Sequence, residues 1–347
     1  MIPNASPSSD GLGASGAQAP CDHAFARALA PVVVWAGLLA VAVLGTACAA
    51  STHAIQAARL GHEIDVDAFE AALDRPGPVR FERVVAADWV VARSGLVNLD
   101  HEAARAAGLE DGDEPIEIFF YVLEHPTEGD FIVDSGVSRD FTKASGSDDV
   151  GALVEAVMNT EALDVHVPMA DWVAARSNPL AGVLLTHIHL DHIMGLPDIP
   201  EDVPVYVGPG ETLHRSFLNL FTQGTLDRFL ERPGALREWS YPPRAAEDQA
   251  APPVRVLDVF GEGSLFALHV PGHTPGSMAF VVRSTDGPKL LVGDTSHTAW
   301  GWRNGVEPGS FTADHDANAR SLAWLRGLAD RHPGLEVHLG HQRLATD

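Results

Sequence analysis

The chain has 347 residues, 46% of them apolar, and its 47 acidic side chains against 23 basic ones give a formal net charge of −24. That length buries a substantial core, while so acidic a surface repels phosphate backbones and excludes nucleic acid as a partner. With only two cysteines, Cys21 and Cys48, the folded part has neither a disulfide framework nor a thiolate-rich zinc knuckle. Any metal must be held by nitrogen and oxygen.

Residues 1–27, rich in Ser, Ala, Gly and Pro toward their start, read as disordered. Residues 28–50, ALAPVVVWAGLLAVAVLGTACAA, carry no formal charge, and their apolar core has the length of a secretory h-region. Three addresses fit this stretch. LGTAC, ending at Cys48, resembles a bacterial lipobox whose cysteine is lipidated. Ala47-Cys48-Ala49 satisfies an ordinary A-x-A cleavage pattern, and the uncharged run is also long enough for a single N-terminal membrane anchor. A buried helix of the domain is the remaining reading. Arg27 is the only basic residue ahead of the run, a poor orienting charge. The expectation is still export to the cell envelope, periplasmic or lipid-anchored.

Residues 51–78 read as a polar, partly helical linker closing at Pro76-Gly77-Pro78. From Val79 to the end one domain is expected. Its short apolar runs have strand character: IEIFFYVLE, FIVDSG, GVLLTH, VPVYVG, VRVLDVF, SLFALHVPGH, MAFVVR, KLLVGD and LEVHLGH. Apolar residues at three-four spacing mark helices in DVGALVEAVMNTEAL, ETLHRSFLNLFTQGTLDRFLE and ANARSLAWLRGLADRH. Ser284-Thr285-Asp286-Gly287 has the composition of a hairpin turn. Strands and helices interleave without a regular βαβ beat, so sheets covered by helices are expected rather than a doubly wound fold. No Gly-rich stretch matches a nucleotide-binding fingerprint.

Four of these runs end on a metal-ligating type of residue: GVLLT at His187, FALHVPG at His273, KLLVG at Asp294 and LEVHLG at His341. Strand ends along one sheet edge bring distant residues together on a rigid frame. In THIHLDH, His187 and His189 are two apart, which aims both rings the same way from extended backbone, while Asp191 and His192 follow beyond a turn. Imidazole and carboxylate donors suit zinc, iron or manganese. Six or seven of them are too many for one ion and suit two.

This set resembles the metallo-β-lactamase superfamily in its T-H-x-H-x-D-H motif at Thr186–His192, in His273 of PGHTPGS, Asp294 of VGDTSH and His341 of LGHQ. FIVDSG, with Asp134, is similar to the family's strand ending in D-[ST]-G, whose acid supports the site from behind the ligands. Over residues 79–347 the resemblance implies a four-layer αβ/βα sandwich, a fold of mixed α and β structure with the metals at one edge. It implies two divalent ions, zinc first and iron or manganese as alternatives. His187, His189 and His273 would hold one ion, Asp191, His192 and His341 the other, and Asp294 would bridge them around a hydroxide that attacks a carbonyl or phosphorus centre. Thr186 falls with Asp134 behind the ligands, and Asp191 is placed to help move the proton.

Within the superfamily the pattern is most similar to lactonases and related ester hydrolases acting on small molecules. No cysteine ligand is available, the bridging Asp294 is present, and only six residues follow His341, where thioesterases of the glyoxalase II type carry a further helical domain. Where those lactonases often place a tyrosine three residues after the bridging aspartate, this chain has His297, which is either a substitute proton donor or an exposed polar residue. Trp300 and Trp302 either line an acyl pocket or pack in the core, and residues 211–231 form either a lid or a packed helix. Thioester or β-lactam hydrolysis, and a mononuclear iron enzyme like the persulfide dioxygenases, are the competing activities.

Overall fold

The computed structural model describes residues 53–143, 159–213, 219–231, 234–241 and 254–344. The expected leader at 28–50, Cys48 and most of DVGALVEAVMNTEAL lie outside them. Among the described residues no helix is long and apolar enough to cross a membrane.

The strands in chain order are β1 (Ile55–Ala57), β2 (His62–Ile64), β3 (Arg80–Ala92), β4 (Asp113–His125), β5 (Gly129–Val133), β6 (Asp164–Val165), β7 (Leu180–Leu184), β8 (Val205–Val207), β9 (Leu236–Glu238), β10 (Arg255–Asp258), β11 (Leu265–His269), β12 (Met278–Ser284), β13 (Gly287–Leu291) and β14 (Glu336–His338). Eight of them form one mixed sheet in the order β1-β9-β8-β7-β5-β4-β3-β6, and six form a second in the order β14-β13-β12-β11-β10-β2. The expected turn at Ser284–Gly287 closes the β12–β13 hairpin, with Ser284 paired to Gly287.

Strands buried on both faces read as unbroken apolar runs, and β4 shows why. Its Ile116, Ile118, Phe120 and Val122 face outward to helices, packing with Met169, Leu190, Ile193 and Leu226. Alternate residues Phe119, Tyr121 and Leu123 point between the sheets, against Leu265, Ala267, Phe280 and Val282. A third cluster packs the outer face of the second sheet, through Val256, Phe266 and Val281, on Phe69, Leu322, Leu325 and Leu328 of the helices Val66–Leu73 and His315–Arg331. Three apolar layers between helices, sheet, sheet and helices make the αβ/βα sandwich.

The stretch expected as a linker is instead part of this body. β1 pairs in parallel with β9, β2 pairs antiparallel with β10, and Phe69 and Leu73 of the intervening helix are fully buried. These strands are three residues long and polar (IQA, HEI), too short for periodicity to register. Trp302 belongs to the core beneath the helix His315–Arg331, and Trp300 packs half-buried on the first sheet's outer layer. The helix Asn219–Phe229 and the residues after it likewise bury Leu226, Phe229 and Leu230 in that layer, as a packed helix does.

Candidate metal centre

Thr186–His192 begins where β7 ends, and His273, Asp294 and His341 each lie just beyond β11, β13 and β14. One sheet therefore delivers His187, His189, Asp191 and His192, and the other delivers the remaining three. Their donor atoms converge in two groups, His187/His189/His273/Asp294 and Asp191/His192/Asp294/His341, each with all four donors within 4.8 Å of one another. Asp294 belongs to both. Its Oδ2 lies 3.6 Å from His187 Nε2, 3.2 Å from His192 Nε2 and 3.4 Å from His273 Nε2, and its Oδ1 lies 3.4 Å from His341 Nε2. Asp191 Oδ2 stands 3.1 Å from His341 Nε2, and His189 Nδ1 is 2.9 Å from His273 Nε2.

Most of these rings are tethered from behind. His192 Nδ1 meets Asp134 Oδ2 at 2.9 Å, His341 Nδ1 meets the Glu117 carbonyl at 3.1 Å, His187 Nδ1 meets Thr186 Oγ1 at 3.2 Å and His273 Nδ1 meets Thr312 Oγ1 at 3.4 Å. A bond at Nδ1 fixes the ring and leaves Nε2 facing inward as the donor. His189 is the exception, presenting Nδ1, and it is also the least enclosed of the histidine ligands. Asp134, the acid of FIVDSG, stands behind His192. Held in the left-handed region at φ 60°, it accepts from the Thr186 backbone N–H at 2.8 Å and from the Thr186 hydroxyl, as well as facing His192.

The electrostatics fit cations. Burial and the neighbouring imidazoles hold His187 and His273 well below their ordinary value. His189 is lowered to about 4, chiefly by burial, so all three rings are neutral donors. Burial also works against charge on His192 and His341, but the carboxylates around them win. Asp294, Asp134 and Asp191 raise His192 well above its usual range, and Asp294 and Asp191 raise His341 to about 10. Carboxylates that hold protons on buried rings stabilise a metal cation in the same way. His187 Nε2 and Asp294 Oδ1 are, moreover, buried without a hydrogen bond, an arrangement proteins avoid unless another partner is intended. The donor set therefore fits two divalent ions.

His297 stands beside this set. It is 2% exposed, so the exposed-residue reading does not hold. Its Nδ1 meets the Leu96 carbonyl at 3.2 Å, and its Nε2 points at Asp294 Oδ2, 3.0 Å away. Sequence reasoning missed the groups that do the tethering, namely the Glu117 and Leu96 carbonyls and the Thr312 hydroxyl. Backbone acceptors leave no trace in residue type. Glu211, also missed, reads as the start of a helix, yet its carboxylate is buried under the ligand loops.

An αβ/βα sandwich with this ligand set at the sheet ends defines a class of metal-dependent hydrolases. Residues 114–341 match the metallo-beta-lactamase superfamily, and the chain belongs to it. Among curated relatives it is 30% identical to the N-acyl homoserine lactonase AttM of Azorhizobium caulinodans, over 46% of this chain and 57% of that protein. It is 28% identical to AttM of Rhizobium johnstonii, over 67% of this chain and 84% of that one. Among solved structures, a quorum-quenching N-acyl homoserine lactone lactonase superimposes with a TM-score of 0.54 at 17% identity, covering 77% of this chain and 94% of its own. A probable metal-dependent hydrolase from Staphylococcus aureus gives the same TM-score at 13% identity, covering 77% of this chain and 90% of its own. At such identities these two show the shared fold.

Proposed function

We propose that this chain hydrolyses a lactone or carboxylic ester of small size at a two-metal centre. The observation that carries the reading is the pair of four-donor groups sharing Asp294. A mononuclear enzyme has no use for the second group. The AttM lactonases among its relatives support the substrate class.

His187, His189 and His273 would hold one ion, Asp191, His192 and His341 the other, with Asp294 between them. Bound there, two divalent cations supply a Lewis acid for the carbonyl and a water acidified toward neutrality. Zinc suits the nitrogen and oxygen donors best, and iron and manganese share that ligand chemistry. His189 and Asp191, the least enclosed ligands, mark the side from which substrate arrives. Asp191 offers a partly accessible carboxylate that can take up a proton from the attacking water. His297 has its outer nitrogen fixed by the Leu96 carbonyl, and its inner one can return a proton to the leaving alkoxide.

Elemental analysis of the purified chain should give two metal ions per chain, and a panel of lactones, thioesters, β-lactams and phosphodiesters should show lactones turned over best. His189→Ala and Asp294→Asn should each abolish that turnover. One iron per chain overturns the two-metal reading, and a chain that prefers β-lactams or thioesters overturns the substrate class.

A further inference from the structure

The turn Gly208-Pro209-Gly210 at the end of β8 carries Glu211 into the interior, where it is 5% exposed. Burying a carboxylate is costly unless donors surround it, and Glu211 has three. Its Oε1 accepts from the backbone N–H of Ile188 at 2.8 Å. Its Oε2 accepts from the Thr274 hydroxyl at 2.7 Å and from the Gly276 N–H at 3.0 Å. Ile188 lies between His187 and His189, and Thr274 follows His273. One carboxylate thus joins the loop leaving the first sheet to the loop leaving the second, and both loops supply histidines of the same four-donor group. Close approach is built in. A Cβ on Gly208 would stand 1.8 Å from the Gly276 carbonyl oxygen, and one on Gly276 would stand 2.6 Å from Glu211 Oε2 itself.

We infer that Glu211 is a positioning residue for one metal of the pair: it sets the spacing between the His187–His189 loop and the His273 loop, and with it the affinity of that group, without touching the ion. The inference rests on the two-metal reading of the site and is independent of the substrate. Each oxygen accepts from a backbone N–H, Ile188 at Oε1 and Gly276 at Oε2, so Glu211→Gln keeps the volume but must turn its amide NH2 against one of them.

Zinc affinity, measured by chelator competition on the full chain, tests this in two backgrounds. His341→Ala leaves the His187/His189/His273 group complete, and His273→Ala leaves the Asp191/His192/His341 group complete. Adding Glu211→Gln should weaken zinc binding about 10–100-fold in the first background, the usual effect of losing a group that orients ligands. In the second the loss should be several-fold smaller, because the partners of Glu211 adjoin His187, His189 and His273 and none adjoins Asp191, His192 or His341. Thr274→Val, which deletes one of the three donors, should shift the first background in the same direction by less. Equal weakening in both backgrounds, no weakening in either, or loss of cooperative unfolding in both the Gln and Val variants would overturn the inference. A wild-type chain binding fewer than two zinc ions would instead overturn the reading on which it rests.

Discussion

Every inward-facing ring nitrogen in the centre except that of His189 owes its direction to what sits on the far side of its ring. Asp134, Thr186, Thr312 and the Glu117 carbonyl hold the Nδ1 atoms of His192, His187, His273 and His341, and the Leu96 carbonyl holds His297 in the same manner. The histidine outside the expected ligand set is thus oriented as carefully as those inside it, and this separates two roles. A ligand would be needed for metal content, whereas a proton donor would be needed only for turnover. His297→Phe keeps an aromatic ring at this position and removes both nitrogens. It should leave two metal ions bound and KM for a lactone nearly unchanged, while kcat falls about 100-fold or more, the usual weight of a positioned acid. An unchanged kcat would make His297 a packing residue, and loss of one ion would make it a ligand.

At the scale of the element, what was legible in the sequence is what burial on two faces writes into it. The runs at β4, β5, β7, β8 and β10–β14 stand out because both of their faces are covered, and four of the candidate ligands, His187, His273, Asp294 and His341, stand out because each ends such a run. β3 was not legible. Its thirteen residues, RFERVVAADWVVA, mix charged and apolar positions, and the register shifts between Val85 and Ala87, which breaks the alternation that would betray a strand. Glu211 was hidden for a different reason, since a carboxylate becomes informative only when the donors around it, drawn from distant loops, are known. β14 carries a consequence for pH. His338 lies buried on Phe81 and Tyr121, with Glu336 Oε1 3.1 Å from its Nε2. Burial, together with Arg83 and Lys289, outweighs Glu336 and lowers it from 6.5 to about 4. The unfolded chain then takes up this proton near 6.5 and the folded one only near 4. Stability from this residue is full above pH 6.5 and is lost as pH falls from there through 4, amounting to about 2 kcal/mol by pH 5. Urea unfolding of the metal-free chain at pH 7.5 and pH 5 should show that loss in the wild type, beyond what His338→Gln shows. Equal losses in the two proteins would remove His338 as the cause.

At the largest scale, the described residues form two sheets whose contact between faces is apolar and whose contact at one edge is ionic. Each four-donor group draws two ligands from the β7 end of one sheet and two from the β11, β13 and β14 ends of the other. Metal bound there would fasten sheet to sheet. Without it, Asp134, Asp191 and Asp294 are balanced by the protonated rings of His192 and His341 beside them. Any ion that binds the folded chain alone stabilises it, by about 2.7 kcal/mol per site at a free concentration one hundred times Kd. Two sites give roughly 5 kcal/mol, which for a body of this size is a rise in Tm of about 10 °C. Thermal melts before and after exhaustive chelation should show that difference, and zinc should restore it. Because the link is between sheets, chelation should also speed amide exchange at β7 and β13, which lead into ligands, more than at the remote β2–β10 pair. A Tm indifferent to chelation would mean that the apolar layers alone set the docking of the sheets. A uniform rise in exchange would mean that the metals stabilise the fold without acting at the seam.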